Sequence, residues 1–152
     1  MAQISQLSVD VQIKCCAEKF YGFFRNNMHH LVQMFPKNLH SCEFLEGNDF
    51  TSGSLMQWSY DIVGPAKVKA KVADVDEEKK SITYEAVEGD ILNQYSLFKA
   101  KFQASDDEEN GSTTVNWSIE FEKADENIPP PVAYLNFVSK LSMGLDAYLA
   151  IN

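Results

Sequence analysis

Residues 113–149, TTVNWSIEFEKADENIPPPVAYLNFVSKLSMGLDAYL, change their hydrophobic period partway. Up to Lys123 the period is two. Val115, Trp117, Ile119 and Phe121 alternate with Asn116, Ser118 and Glu120, the pattern of a strand with one buried face. After Ile128 the triple proline Pro129-Pro130-Pro131 suits the entry to a helix. Beyond it Tyr134, Val138, Leu141, Leu145 and Tyr148 recur at helical spacing with no proline between them. The stretch therefore predicts a strand over Thr113–Lys123 and a long helix over Val132–Leu149.

Moving outward toward the N-terminus, the same period-two reading repeats. Strands are predicted at Leu92–Ala104, Ser81–Val87, Lys67–Val75, Ser54–Ile62 and His40–Glu46, with a first strand at Ile4–Ile13. Turns fall at Glu88-Gly89-Asp90, Asp76–Lys80, Gly64-Pro65 and Gly47-Asn48-Asp49. Two short helices, Ala17–Arg25 and Met28–Met34, separate the first strand from the rest. The second ends at Phe35-Pro36, because a residue before proline is pushed out of the α region. Short strand-to-strand links make antiparallel neighbours. The fold class is α+β: a curved, seven-stranded antiparallel sheet with one long C-terminal helix against its face.

The alternation also separates inside from outside. Met56, Trp58 and Tyr60 share a face. Ala66, Val68, Ala70 and Val72 alternate with Lys67, Lys69 and Lys71, and Ile82, Tyr84 and Ala86 alternate with Thr83 and Glu85. Every strand lysine is thereby expected on the outer, polar face.

Composition bounds the function. At 152 residues and 45% hydrophobic, residues 1–152 are expected to form one domain with a full core. Twenty-two acidic against 13 basic side chains give a net charge of −9, which argues against nucleic-acid binding by counterion release. No secretory leader and no membrane-length apolar run stand out. Cys15, Cys16 and Cys42 form no disulfide framework and read as reduced thiols, so a cytoplasmic location is expected. The charge of Asp106–Gly111 reads as solubility. No metal or cofactor is expected. His29 and His30 are adjacent and point ~100° apart on a helix, and Glu46–Gly53 lacks the lysine and Ser/Thr of a phosphate loop. A monomer or weak dimer, without membrane insertion, is the expected state.

Ala17-Glu18-Lys19-Phe20-Tyr21, residues 82–92 (ITYEAVEGDIL), residues 131–137 (PVAYLNF) and Asp146-Ala147-Tyr148-Leu149 follow one another in a specific order, with Met1-Ala2-Gln3-Ile4 at the start. Together they resemble the plant major latex protein family, a branch of the birch-pollen-allergen, START-like superfamily, over essentially the whole chain. The resemblance implies a helix-grip fold: the sheet grips the long helix, the short helices close one end, and a large apolar cavity lies between. It places Phe23, Met56, Trp58, Tyr60, Val68, Ile82, Tyr84, Phe98, Trp117, Tyr134, Val138, Leu141 and Leu145 around that cavity. The chain departs from the family pattern at Glu46–Gly53, which keeps only the flanking glycines of a typically glycine-rich loop.

What the resemblance implies for function is the binding of a small hydrophobic molecule (lipid, terpenoid or other specialised metabolite), a lipid-sized one needing a few hundred Å³. The alternative is a cofactor-independent cyclase or isomerase acting on a reactive terpenoid or alkaloid in the same cavity. Fold alone does not choose between them. An inward lysine for amine chemistry is missing from the pattern, and Asp61–Ala66 does not match the gate of the superfamily's hormone receptors. No acid–base pair for ribonuclease chemistry stands out. If the chain is an enzyme, the proton traffic falls to Tyr60, Tyr84 and Tyr134, or to His29, His30 and His40 near the expected entrance.

Overall fold

The alternation of residues 113–123 becomes strand β7, Ser112–Lys123, in which Val115, Trp117, Ile119 and Phe121 are each buried and the residues between them half-exposed. A computed structural model of the chain describes residues 3–47 and 50–151. Met1-Ala2 of the family-like start and Asn48-Asp49 of the expected turn lie outside the described residues. The elements run β1 (Ile4–Ile13), α1 (Ala17–Asn26), a 3-10 turn (Met28–His30) leading into α2 (Leu31–Met34), β2 (Leu39–Glu46), β3 (Leu55–Asp61), β4 (Pro65–Asp76), β5 (Ser81–Gly89), a second 3-10 turn (Asp90–Asn93), β6 (Tyr95–Asp107), β7 and α3 (Val132–Ile151).

The seven strands form one sheet in the order β1-β7-β6-β5-β4-β3-β2, each pair antiparallel. Strand β6 begins at Tyr95 rather than at the expected Leu92. Gly89 takes φ 131°, and the chain turns so that Ile91 is buried before the strand resumes. A Cβ on Gly89 would stand 2.4 Å from the Lys67 carbonyl oxygen, so β4 and β5 can approach this closely only at a glycine. The lysines of β4 face outward. Lys67 and Lys71 are exposed, and Lys69 is half-exposed with its ammonium 3.0 Å from the Glu88 carboxylate.

Helix α1 seals one end of the sheet. Its Phe20 and Phe24 meet Phe102 of β6 at ring-centroid distances of 5.4 and 4.8 Å, and all three are essentially inaccessible. Each such ring contributes roughly 1.5–3 kcal/mol by leaving water. The first turn of α1 lacks a local side-chain cap. Instead the Ala17 N–H donates to the Asp106 carboxylate at 2.8 Å, and the same carboxylate accepts the Thr113 hydroxyl at 2.9 Å. Asp106, near the C-terminal end of β6, thus caps α1, which corrects its reading as part of a merely solubilising run. Asp146 of α3 accepts the N–H groups of Lys14 and Cys15 at 3.0 and 2.9 Å. These two carboxylates tie the β1–α1 corner to β6 and α3.

Candidate functional site

The hollow comes from small residues in register. On the inner face of the central strands Ala70 lies opposite Ala86, and Tyr84 opposite Ala100. Alanine at these positions leaves the sheet floor low beneath α3. The helix answers with Tyr134, Phe137, Val138 and Leu141, while Phe24, Met28, Leu31 and Leu39 close the α1–α2 end. The space between sheet and helix is about 180 Å³, and none of its described lining residues is charged. That is smaller than the few hundred Å³ a lipid-sized ligand needs.

Nine of the residues expected around the cavity line it: Trp58, Tyr60, Val68, Tyr84, Phe98, Trp117, Tyr134, Val138 and Leu141. Phe23, Met56, Ile82 and Leu145 lie on the same inner faces but are solid core, each less than 5% exposed and outside the cavity wall. For Phe23 and Ile82 the reason is α1, which settles on the sheet at that end. Phe23 packs edge-on against Phe24 and Tyr148, and Ile82 sits opposite Phe102 in the layer α1 covers. The wall also uses Ile62, Ile91, Ile119 and the alanines. Small residues stacked across three neighbouring strands are the signal that could have marked them.

The histidines stand apart from the hollow. His29 is exposed and stacks on Phe50 at 6.0 Å, His30 lies against His29, and His40 is exposed with Nε2 3.3 Å from the Lys37 carbonyl. None of the three lines the cavity, although Met28 and Leu31 from the same short helices do. The expected entrance histidines therefore do not join the phenols.

The polar atoms of the wall are few. The Trp117 indole N–H donates to Ser142 Oγ at 2.6 Å, and that hydroxyl donates to the Val138 carbonyl at 2.8 Å. The sequence carried no sign of Ser142 beyond the rule that a buried indole N–H needs a partner. Tyr60 and Tyr134 share a hydrogen bond between their hydroxyls, 3.2 Å apart. The Tyr84 hydroxyl is buried and has no hydrogen-bond partner among the described residues. Burial pushes the pKa values of Tyr60, Tyr84 and Tyr134 upward, and the nearby Asp90 carboxylate adds to the rise at Tyr60 and Tyr134. All three phenols are neutral donors near pH 7. Burial likewise lifts Cys42 to about 11, and burial with the Asp146 carboxylate lifts Cys15 to about 12, so neither thiol is an activated nucleophile. All three cysteines are free.

A curved antiparallel sheet gripping a C-terminal helix over an apolar hollow defines a class, and the comparisons agree. Residues 2–152 match the model of the pathogenesis-related protein Bet v 1 family, and the chain belongs to that family. Its relatives there include major latex proteins. MLP-like protein 43 of Arabidopsis thaliana is 33% identical over 147 residues, covering 96% of this chain and 93% of the relative. MLP-like protein 34 of the same plant is 35% identical over 144 residues, or 94% of this chain, and there the chain spans about half of the relative's length, 46%. The crystal structure of ginseng major latex-like protein 151 from Panax ginseng superimposes with a TM-score of 0.87 at 28% identity, covering 95% of this chain and 97% of that one.

Proposed function

We propose that this chain binds a small hydrophobic molecule in the hollow between the sheet and α3, as an intracellular plant protein. The observation that supports the reading is the wall itself: an interior space of about 180 Å³ bounded by apolar and aromatic side chains with no charged group among the lining residues. Closed and dry, a hollow of that size costs up to about 4 kcal/mol at ~24 cal/mol per Å³. Water solvates an apolar lining poorly. An occupant removes that cost.

Size narrows the occupant. An apolar cavity of ~150 Å³ takes a benzene-sized guest, so this hollow suits a ring bearing a few further heavy atoms, in the range of small terpenoid or phenolic metabolites. A long-chain lipid requires the α1–α2 end to yield. In an enzymatic reading, the same wall would offer phenols as proton donors and no base in contact with the guest. Among the described residues no helix is long and apolar enough to cross a membrane.

The test is a thermal-shift panel of monoterpenoids, simple phenolics, fatty acids and sterols, paired with native mass spectrometry of the freshly purified chain. A fitting guest at 100 times its Kd adds ~2.7 kcal/mol, a rise of about 5–11 °C in Tm for a chain of this size. Absence of any shift across the panel, with no co-purifying mass, rejects the reading.

A further inference from the structure

The polar atoms of the wall divide into those already committed and those with hydrogen-bonding capacity to spare. The Trp117 indole is tied to Ser142. The Tyr84 hydroxyl has no accessible surface even though the residue lines the cavity, so it faces the packed interior rather than the guest. Tyr60 and Tyr134 differ. Each hydroxyl carries one proton and two lone pairs, and their mutual bond at 3.2 Å uses one proton. One O–H donor is left over on the pair, whose two residues both line the cavity. It lies at the end where α3 begins: Ala66, opposite Tyr60, and Val72, opposite Tyr84, are six residues apart on β4, roughly 20 Å of strand.

Charge is absent from this end in one sense and negative in another. No lining residue is cationic. Arg25 gives its guanidinium to the Phe50 carbonyl at 3.1 Å and faces Glu77 at 3.9 Å. Asp90 lies close enough to Tyr60 and Tyr134 to make ionisation of either phenol harder, and it would oppose any second anion there. A buried carboxylate with no cation carries a heavy desolvation penalty, whereas a neutral oxygen accepting the spare proton carries little.

From this arrangement, and resting on the hydrophobic-binding reading above, we infer that the hollow selects an uncharged guest bearing one hydrogen-bond-accepting oxygen, and that the Tyr60–Tyr134 hydroxyl pair holds that oxygen at the N-terminal end of α3. The ligand class is a small ketone, aldehyde or alcohol with a hydrocarbon body. The pair acts as a unit. Donation from one hydroxyl to the other polarises the free O–H and strengthens its bond to the guest. Removing either hydroxyl leaves a lone phenol that still donates, and removing both leaves none.

The test uses three probes of one shape on the full chain: acetophenone, ethylbenzene and benzoate, titrated calorimetrically against wild type, Tyr60→Phe, Tyr134→Phe and the double variant. Acetophenone labelled with 13C at its carbonyl adds an infrared readout of the hydrogen bond. The expected result is that acetophenone binds wild type at least about 10-fold more tightly than benzoate. Its bound carbonyl band lies lower in frequency than in the double variant. The double variant loses about 3- to 10-fold in acetophenone affinity, as for one net hydrogen bond, while each single variant loses less and ethylbenzene is unaffected throughout. Retained ethylbenzene binding certifies that the variants fold. Benzoate binding as tightly as acetophenone, or a carbonyl band unmoved by the double substitution, overturns the inference and leaves the hydrophobic reading standing. If none of the three probes binds wild type the inference falls, and the hydrophobic reading falls with it when the thermal-shift panel and the mass measurement are silent as well.

Discussion

Ser142 and Tyr84 are polar residues of the interior whose substitutions should move stability in opposite directions. Ser142 has no exposed surface and accepts the Trp117 N–H at 2.6 Å. Ser142→Ala leaves a buried indole N–H without that partner, a cost of about 1–3 kcal/mol, and Tm should fall by about 2–4 °C for each of those kcal/mol in a chain of this size. Differential scanning calorimetry reads it directly. An unchanged Tm would mean that the indole finds another acceptor. Tyr84→Phe removes a hydroxyl that is buried and unpartnered among the described residues. Deleting an orphaned polar atom costs nothing in hydrogen bonding, so Tm should hold or rise by a few degrees. A fall comparable to that of Ser142→Ala would show the Tyr84 hydroxyl to be satisfied in solution. Sequence alone marks Tyr84 as inward-facing, but not whether its hydroxyl finds a partner, since that depends on what α1 and the neighbouring strands bring to the other side.

Elements were the most legible level of this chain, for a physical reason. A strand with one wet face writes its period into consecutive residues, so Val115–Phe121 or Ala66–Val72 discloses its inner face without any knowledge of neighbours. The boundaries that slipped are those decided by contact. Leu92 belongs to a 3-10 turn because Gly89 and Ile91 bend the chain inward, and Asp106 extends β6 because α1 needs its carboxylate. Likewise the inner rows are legible while the hollow is not. Ile82 and Tyr84 stand two apart on one face, yet α1 buries one in core and leaves the other on the cavity wall. Gly89 gives the prediction proper to this scale. Gly89→Ala forces a side chain into a positive-φ residue and against the Lys67 carbonyl 2.4 Å away. A loss of about 2–4 kcal/mol is expected, with Tm lowered by at least about 4 °C. Melts followed by circular dichroism at matched concentrations measure it, and a wild-type Tm would show that β4 and β5 part here at no cost.

For the molecule as a whole, the sheet and helix enclose space because the central strands supply alanines where bulkier residues would meet α3. The account therefore stands or falls on whether that space, and not some surface groove, is where a guest resides. Ala100 is the position to fill. It lies opposite Tyr84 on one side and Ile119 on the other, and lines the hollow. Ala100→Leu adds three carbons inside the cavity, worth up to ~2.4 kcal/mol if they pack without strain. The decisive measurement is calorimetric titration of ethylbenzene into wild type and Ala100→Leu, with a melt of each. The account predicts saturable 1:1 binding to wild type, at least a 10-fold loss in the variant, and a variant Tm equal to or above that of wild type. A folded Ala100→Leu chain that binds ethylbenzene as tightly as wild type would contradict it, because the guest would then be sitting somewhere other than beneath α3.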